Sequence, residues 1–495
     1  VNTPLRRVSL AVMVMVIALL LNATYIQVIK ADSLRSDPRN SRVLLDEYSR
    51  QRGQISAGGQ VLAVSVATDN RYRYLRTYPA SALGDTSPLA NAPVTGFYSM
   101  LYSSVGIENT EDSILNGSDS RLFGKRFLDT VAGRDPRGGN VVTTINPAMQ
   151  QVAYDELTSR GYTGSVVAIE PSTGNILAMA STPSYDPNRL ASHDGAESTQ
   201  AWEELTNDPG NPLLNRATQA TYPPGSTFKV VVTAAALAQG ATPDDQLTAA
   251  PVITLPDTTT TLENYGGSSC GGGATASLRD AFARSCNTAF VELGIRTGAD
   301  QLRQTAEAFG IDDQPMNVPV PVTGSTIGPI EDGAALGQSS IGQRDVALTP
   351  LENASIAATI ANGGVRMEPQ LVSELQGPDL STLSQTTPES PGQVISPEVA
   401  STLTSLMIGS EQHTGGVGQI PGVQIASKTG TAEHGTDPRN TPPHAWYIAF
   451  APADNPQVAV AVIVEDGGDR ALAATGGSVA APVGRAVIAA GLQGR

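Results

Sequence analysis

Residues 222–240 read YPPGSTFKVVVTAAALAQG, from Tyr222 to Gly240. Pro223-Pro224-Gly225 cannot continue a helix, whereas Val230 to Gln239 is apolar, Ala-rich and ended by Gly240, so a helix is predicted to begin at about Ser226. Three residues apart, Ser226 and Lys229 then share one face, a turn from each other. A serine hydroxyl needs a base to become a nucleophile, and a desolvated lysine amine within hydrogen-bond reach supplies one. The helix amino terminus adds positive potential where an oxyanion would form. Serine followed three residues later by lysine also arises by chance about once in a chain of this length, and then reads as a helix start with a surface lysine.

Lysine usage favours the chemical reading. Lys30, Lys125, Lys229 and Lys428 are the only lysines among 31 basic residues. Arginine stays protonated in proteins, whereas a buried lysine can lose its proton and act as a base. Downstream, Ser277 to Arg284 and Thr288 to Gly294 read as two helical pieces separated by Ser285-Cys286-Asn287, where an exposed Ser and Asn could pass a proton and hold an amide. Val423 to Thr431 alternates as a strand and carries Lys428, Thr429, Gly430 and Thr431: a cation, two hydroxyls for a carboxylate, and a glycine beside which another backbone can lie. Ala445 to Ala451 and Val458 to Glu465 are two further strands joined at Asp454-Asn455-Pro456, and Gly164 to Ile169 and Asn175 to Ala180 are two more, so an antiparallel sheet is expected.

Outward from this core, 495 residues suggest two or three domains. A formal charge of −16 argues against a nucleic-acid partner, and two cysteines with four scattered histidines leave nothing at zinc-site spacing, so no metal ligand is expected. After Arg6 and Arg7, Val8 to Ile29 carries no charge, long enough at about 1.5 Å per residue to cross a core about 30 Å thick. The paired arginines favour residues 1–7 in the cytoplasm, 8–29 as a single-pass anchor in the cell membrane, and the remainder outside; a cleaved signal peptide is the competing reading, but no convincing small-x-small site follows the apolar run, so an uncleaved anchor is expected. Residues 30–143, with β-like runs at Gly59 to Val66 and Arg71 to Thr77, form a small mainly β or α+β module. Val141 to Ile145 reads as a strand, Pro147 to Leu157 as a helix, and 144–495 as one larger α/β domain. The Thr-rich patch 258–261 and the stretch 378–396 read as loops.

Taken together, S-x-x-K, S-x-N and K-T-G occur in that order, each on the element its chemistry needs, and two of four lysines fall on its two lysine positions. The chain resembles the penicillin-recognising serine transpeptidases over essentially its whole length. The likeness extends to Arg52-Gly53-Gln54-Ile55 with Leu62-Ala63, to Gly164 through Gly174, and to Gly337-Gln338 with Leu348-Thr349-Pro350-Leu351. The first of these and the single anchor resemble the class B, monofunctional penicillin-binding proteins, and the short region before the catalytic domain resembles the actinobacterial members.

The resemblance implies an α/β (α+β) fold, an antiparallel sheet with flanking helices, and acyl transfer. Ser226 would be the acylated nucleophile and Lys229 its base. Ser285 and Lys428 would relay a proton to the leaving amine, Asn287 would hold the donor peptide, and Thr429, Gly430 and Thr431 would meet its carboxylate. The backbone N–H groups of Ser226 and Thr431 would form the oxyanion hole. The substrates would be peptidoglycan stem peptides ending in D-Ala-D-Ala, with β-lactams as acylating inhibitors, no cofactor, and a RodA- or FtsW-type membrane glycosyltransferase as partner. Glu111-Asp112 is expected in a solvated loop.

Other readings make different demands. A class A β-lactamase uses E-x-x-L-N between the second and third motifs, absent between Thr288 and Ser427. A β-lactam sensor usually has several spans, and a catalytically silent scaffold would not need the intact motifs. A Ser-His-Asp hydrolase would need a nucleophile elbow, which His193, His413, His434 and His444 do not accompany. His434 and His444 are expected to be loop residues near the site. Cys270 and Cys286 lie in a domain expected outside the cytoplasm, where a bridge would close a loop of about 15 residues; the alternative is a buried Cys286 thiol beneath the Ser285 turn.

Overall fold

The computed structural model of the protein describes residues 2–30, 48–80, 87–133, 135 and 137–493. Parts of the expected 30–143 module, 31–47 and 81–86 among them, therefore lie outside the described residues. In chain order, the strands of the two larger sheets are β1 (Ile55–Ala57), β2 (Gln60–Ala67), β3 (Tyr74–Thr77), β4 (Asn140–Thr143), β5 (Gly164–Ile169), β6 (Ile176–Thr182), β7 (Val372–Gln376), β8 (Thr382–Gln385), β9 (Ala426–Ala432), β10 (His444–Ala451) and β11 (Val458–Val464). The helices used below are α1 (Asn2–Thr24), α2 (Pro147–Thr158), α3 (Lys229–Ala238), α4 (Leu278–Arg284), α5 (Asn287–Thr297), α6 (Pro350–Ala361), α7 (Pro397–Thr414) and α8 (Ala481–Gln493).

The larger half is built on a sheet of order β9-β10-β11-β5-β6, with every neighbouring pair antiparallel. Its centre explains the apolar run VAVAVIV. Successive side chains of a strand point to opposite faces, and all seven residues of β11 are buried, so both faces must be covered. Val458, Val460, Val462 and Val464 pack into one core with Met149 and Leu157 of α2 and Val483, Val487 and Ile488 of α8. Ala459 and Ala461 face the other core, with Leu351, Ile356 and Ile360 of α6. Small residues on that side let α6 lie close to the sheet, and eleven of its twelve residues are buried. Strand β9 is the edge, which leaves its outer side open to the Ser226 turn.

The second sheet has the order β8-β7-β4-β1-β2-β3, parallel only between β1 and β4. Two of its strands, β7 and β8, come from beyond residue 370, so the chain does not divide cleanly at 143/144. The stretch 378–396 is likewise not all loop, since it supplies β8 and the short strand Gly392–Gln393. Those edge strands are half-buried or exposed and need no apolar alternation, so composition conceals them. The Thr-rich patch forms a turn whose last residue, Thr261, opens one strand of a separate two-stranded ribbon.

A buried charge cluster ties the small unit together. Glu108 accepts from Arg52 Nε at 2.7 Å, Arg76 Nε at 2.5 Å and Tyr78 Oη at 3.0 Å. Arg52 also pairs with Asp112 at 2.5 Å, which places Glu111-Asp112 at the junction of two short helices rather than in a solvated loop. At the amino end, α1 overlaps a continuous apolar helical run from Thr3 to Gln27, none of it buried in the protein and long enough to cross a membrane.

Candidate active site

The first motif is a tight turn where a longer helix was expected. Gly225–Phe228 is a 3₁₀ turn, and the α-helix starts only at Lys229. With three residues per turn, positions i and i+3 eclipse, so this turn sets Ser226 and Lys229 on the same side more closely than an α-helix would. Gly225 has φ 53°, and a Cβ there would lie 2.7 Å from the Thr431 carbonyl oxygen. Its N–H donates to Gly342 O at 2.9 Å, and Trp446 Nε1 donates to Pro223 O at 3.0 Å. The turn is thus pinned between the turn at Gly342 and strands β9 and β10. Gly430 completes the fit, because a Cβ there would sit 2.8 Å from Pro224 O.

Lys229 is fully buried, and its Nζ donates to Ser285 O at 2.7 Å and Asn287 Oδ1 at 2.8 Å, with a longer contact of 3.4 Å to Ser285 Oγ. Among the described residues Ser226 Oγ is not one of its partners. Burial, and next the charge of Lys428, push the Lys229 amine well below the ordinary lysine value. A neutral amine has two N–H donors and one lone pair, and the two short bonds match the two donors.

Lys428 is also fully buried. Its Nζ donates to Ser285 Oγ at 2.9 Å and Thr429 O at 2.9 Å, and burial lowers it to about 7. Ser285 sits between the amines because it ends α4 in the left-handed conformation, φ 60° and ψ 39°, from which the chain turns directly into α5. Cys286 is joined to Cys270 with Cα atoms 5.9 Å apart, inside the range a disulfide spans. That bond anchors the Ser285 turn to the Gly271-Gly272-Gly273 loop. Asn287 Nδ2 donates to Glu263 O at 3.1 Å, fixing the amide from its other side.

Ser226, Lys229, Ser285, Asn287, Lys428, Thr429, Gly430 and Thr431 therefore converge where the Ser226 turn, the α4–α5 turn and β9 meet. Several supports escaped the sequence reading. Gln343, with its amide oriented to accept and donate, pairs with the Glu433 N–H at 3.1 Å and C=O at 3.2 Å, clamping the end of β9. Behind the Lys428 strand, Glu411 accepts from Ser427 Oγ, from Tyr447 Oη at 3.0 Å and from Arg485 Nε at 2.8 Å. Arg485 had a signal, as the lone charge in the apolar helix α8. Glu411 and Gln343 had none.

The histidines stand apart from Ser226 chemistry. His193 packs against Tyr72 and His413 lies in the last turn of α7. His434 lies in the loop after β9, as expected, but His444 is the buried first residue of β10, where burial and then His434 lower it to about 4 despite Glu465. Their rings stack at 3.7 Å.

Known proteins resemble the chain over nearly its whole length. Residues 164–489 match the family model for the penicillin binding protein transpeptidase domain, and 52–141 that for the penicillin binding protein A dimerisation domain. The chain is 65% identical to the peptidoglycan D,D-transpeptidase PbpA of Mycolicibacterium smegmatis over 99% of both chains. It is 64% identical to PbpA of Mycobacterium tuberculosis, over 100% of this chain and 99% of the relative. Among solved structures, the ceftriaxone acyl-enzyme of M. tuberculosis penicillin-binding protein A superimposes with a TM-score of 0.88 at 63% identity, covering 91% of this chain and all of that one. The penicillin G acyl-enzyme of the same relative gives 0.86 at 63% identity, covering 90% of this chain and 100% of that one.

Proposed function

The chain belongs to the penicillin-binding protein transpeptidases, and on that premise we propose that it cross-links peptidoglycan stem peptides through an acyl-enzyme on Ser226. It is a serine-type D,D-transpeptidase that β-lactams acylate. The observation that carries the residue assignment is the desolvated Lys229 amine, one turn from Ser226 and held by short bonds to Ser285 O and Asn287 Oδ1.

In the forward step Lys229 takes the Ser226 proton as Oγ attacks the carbonyl of the penultimate D-Ala. The N–H groups of Ser226 and Thr431 receive the developing oxyanion. Lys428 and Ser285 then pass a proton to the leaving D-Ala amine; the 2.9 Å Lys428–Ser285 hydrogen bond supports that route. Asn287 holds the donor amide, and Thr429 and Thr431 hold its carboxylate, with Gly430 keeping the strand close to the nucleophile turn. An amine from a neighbouring stem captures the acyl group by the reverse of these proton transfers.

An amino-terminal apolar helix fits a single-pass membrane anchor. Arg6 and Arg7 before it favour a cytoplasmic amino terminus and an extracytoplasmic catalytic domain. Neither matched region is described as polymerising glycan, so a RodA- or FtsW-type membrane glycosyltransferase is the partner this reading calls for. The test is to incubate the full-length chain in detergent with a stem peptide ending in D-Ala-D-Ala and an amine acceptor. Released D-Ala matched by transfer product supports the reading, and hydrolysis without transfer overturns it.

A further inference from the structure

Two imidazoles and a carboxylate meet at the far end of the strand pair that carries Lys428. His444 opens β10 opposite Ala432, His434 follows β9 by two residues in the 433–443 loop, and Asp466 lies just after β11. His434 Nε2 is 3.1 Å from Asp466 Oδ1, and His444 Nδ1 is 3.9 Å from the same oxygen. One donor atom from each residue lies within 4.8 Å of the other two. Tetrahedral zinc with bonds of about 2.0–2.1 Å sets its donors about 3.4 Å apart, and the two measured separations bracket that value.

We propose that His434, His444 and Asp466 form a binding site for a divalent ion of the zinc class, which fastens the 433–443 loop to the segment following β11. Two imidazoles and one carboxylate are a donor set suited to Zn²⁺ or Co²⁺ and leave a fourth position for water. Among the described residues no lysine or arginine pairs with Asp466, so no fixed cation competes with the metal. The neighbouring Glu465 is engaged by Arg216 at 2.8 Å and Tyr222 Oη at 2.6 Å and is not a ligand. The parallel rings must tilt to aim both lone pairs at one ion. His434 supplies that movement, being on the loop, while His444 is held in β10 with its ring edge-on to Tyr222 at 5.4 Å. The ion replaces two hydrogen bonds, His434 Nε2 with Pro442 O at 2.9 Å and Asp466 N with His444 Nδ1 at 3.2 Å, by three coordinate bonds. Its role is mechanical: the loop it holds begins two residues after Thr431, so the metal steadies the mouth of the acylation site without touching the reacting atoms.

The experiment uses the full-length chain in detergent, stripped with EDTA and then titrated with Zn²⁺, with Co²⁺ as spectroscopic probe. Wild type should retain one Zn²⁺ per chain after dialysis, show the visible bands of four-coordinate Co²⁺, and gain hydrogen-exchange protection across 433–443. His434→Ala and Asp466→Asn, each verified as folded by its thermal melt in EDTA, should bind at least as weakly as the roughly 10–100-fold loss seen when a supporting residue of a metal site is removed. Failure of wild type to retain stoichiometric metal, or retention undiminished in both variants, overturns the proposal.

Discussion

Lys229 and Lys428 approach one hydroxyl from two sides: Ser285 Oγ lies 3.4 Å from the first amine and 2.9 Å from the second. Two ammonium groups this close, both fully buried, would repel each other and lack the water that stabilises charge. Burial lowers both amines, and the charge of Lys428 lowers Lys229 further. Burial, and then a second lysine within reach of the same serine, thus favour a neutral Lys229 amine.

Lys229→Arg keeps a cation but removes the base, because arginine does not release its proton at working pH. Acylation by a penicillin should fall by about a thousandfold or more, on the scale of losing a serine enzyme's base. Stopped-flow acylation kinetics measure it, with circular dichroism checking the fold. A loss below tenfold would mean that Lys229 acts by charge alone.

The same depressed lysines make stability depend on pH. Lys428 titrates at about 7 when folded and near 10.4 when unfolded, so between those values the unfolded chain binds more protons. Stability should therefore rise from pH 7 to about 10, by up to about 1.4 kcal/mol per pH unit from this group. Urea unfolding of Lys428→Met, compared with wild type at pH 7 and pH 9.5, should show a smaller gain. Equal gains would mean that Lys428 is not desolvated in the folded chain.

The Cys270–Cys286 bond is read by mass after alkylation of the unreduced, denatured protein. None of the two thiols should react in material oxidised outside the cytoplasm. Reduction should cost on the order of 3 kcal/mol and slow acylation by loosening the Ser285 turn, although Ser226 is untouched. Two alkylated thiols in that material would place an independent thiol beneath the turn instead.

Glu411→Gln leaves Arg485 buried without its counter-ion beside Tyr447 and behind the Lys428 strand. Removing one partner of a buried pair costs about 3–5 kcal/mol. Chemical denaturation should show that loss, and a change below 1 kcal/mol would mean that Val417 O and Gly415 O satisfy the guanidinium by themselves.

The reach of the sequence differed from element to element for physical reasons. Strand β11 and helix α3 announce themselves because burial all round demands a run that is unbroken apolar in the strand and nearly so in the helix. The three motifs were legible because each needs a particular residue on a particular turn, as Gly430 does against Pro224. Strand β8 was hidden by its exposed edge position. The start of α3 was placed early because composition does not distinguish a 3₁₀ turn from an α-helical one at Gly225–Phe228. His434, His444 and Asp466 could not be grouped, since only the pairing of β10 with its neighbours brings them together.

The most direct test of the account is to incubate the full-length protein with benzylpenicillin, digest it and locate the adduct by mass spectrometry. A single penicilloyl group on the peptide containing Ser226, absent from Ser226→Ala with an unchanged thermal melt, is the predicted result. An adduct on any other residue, or one that survives in Ser226→Ala, would contradict it.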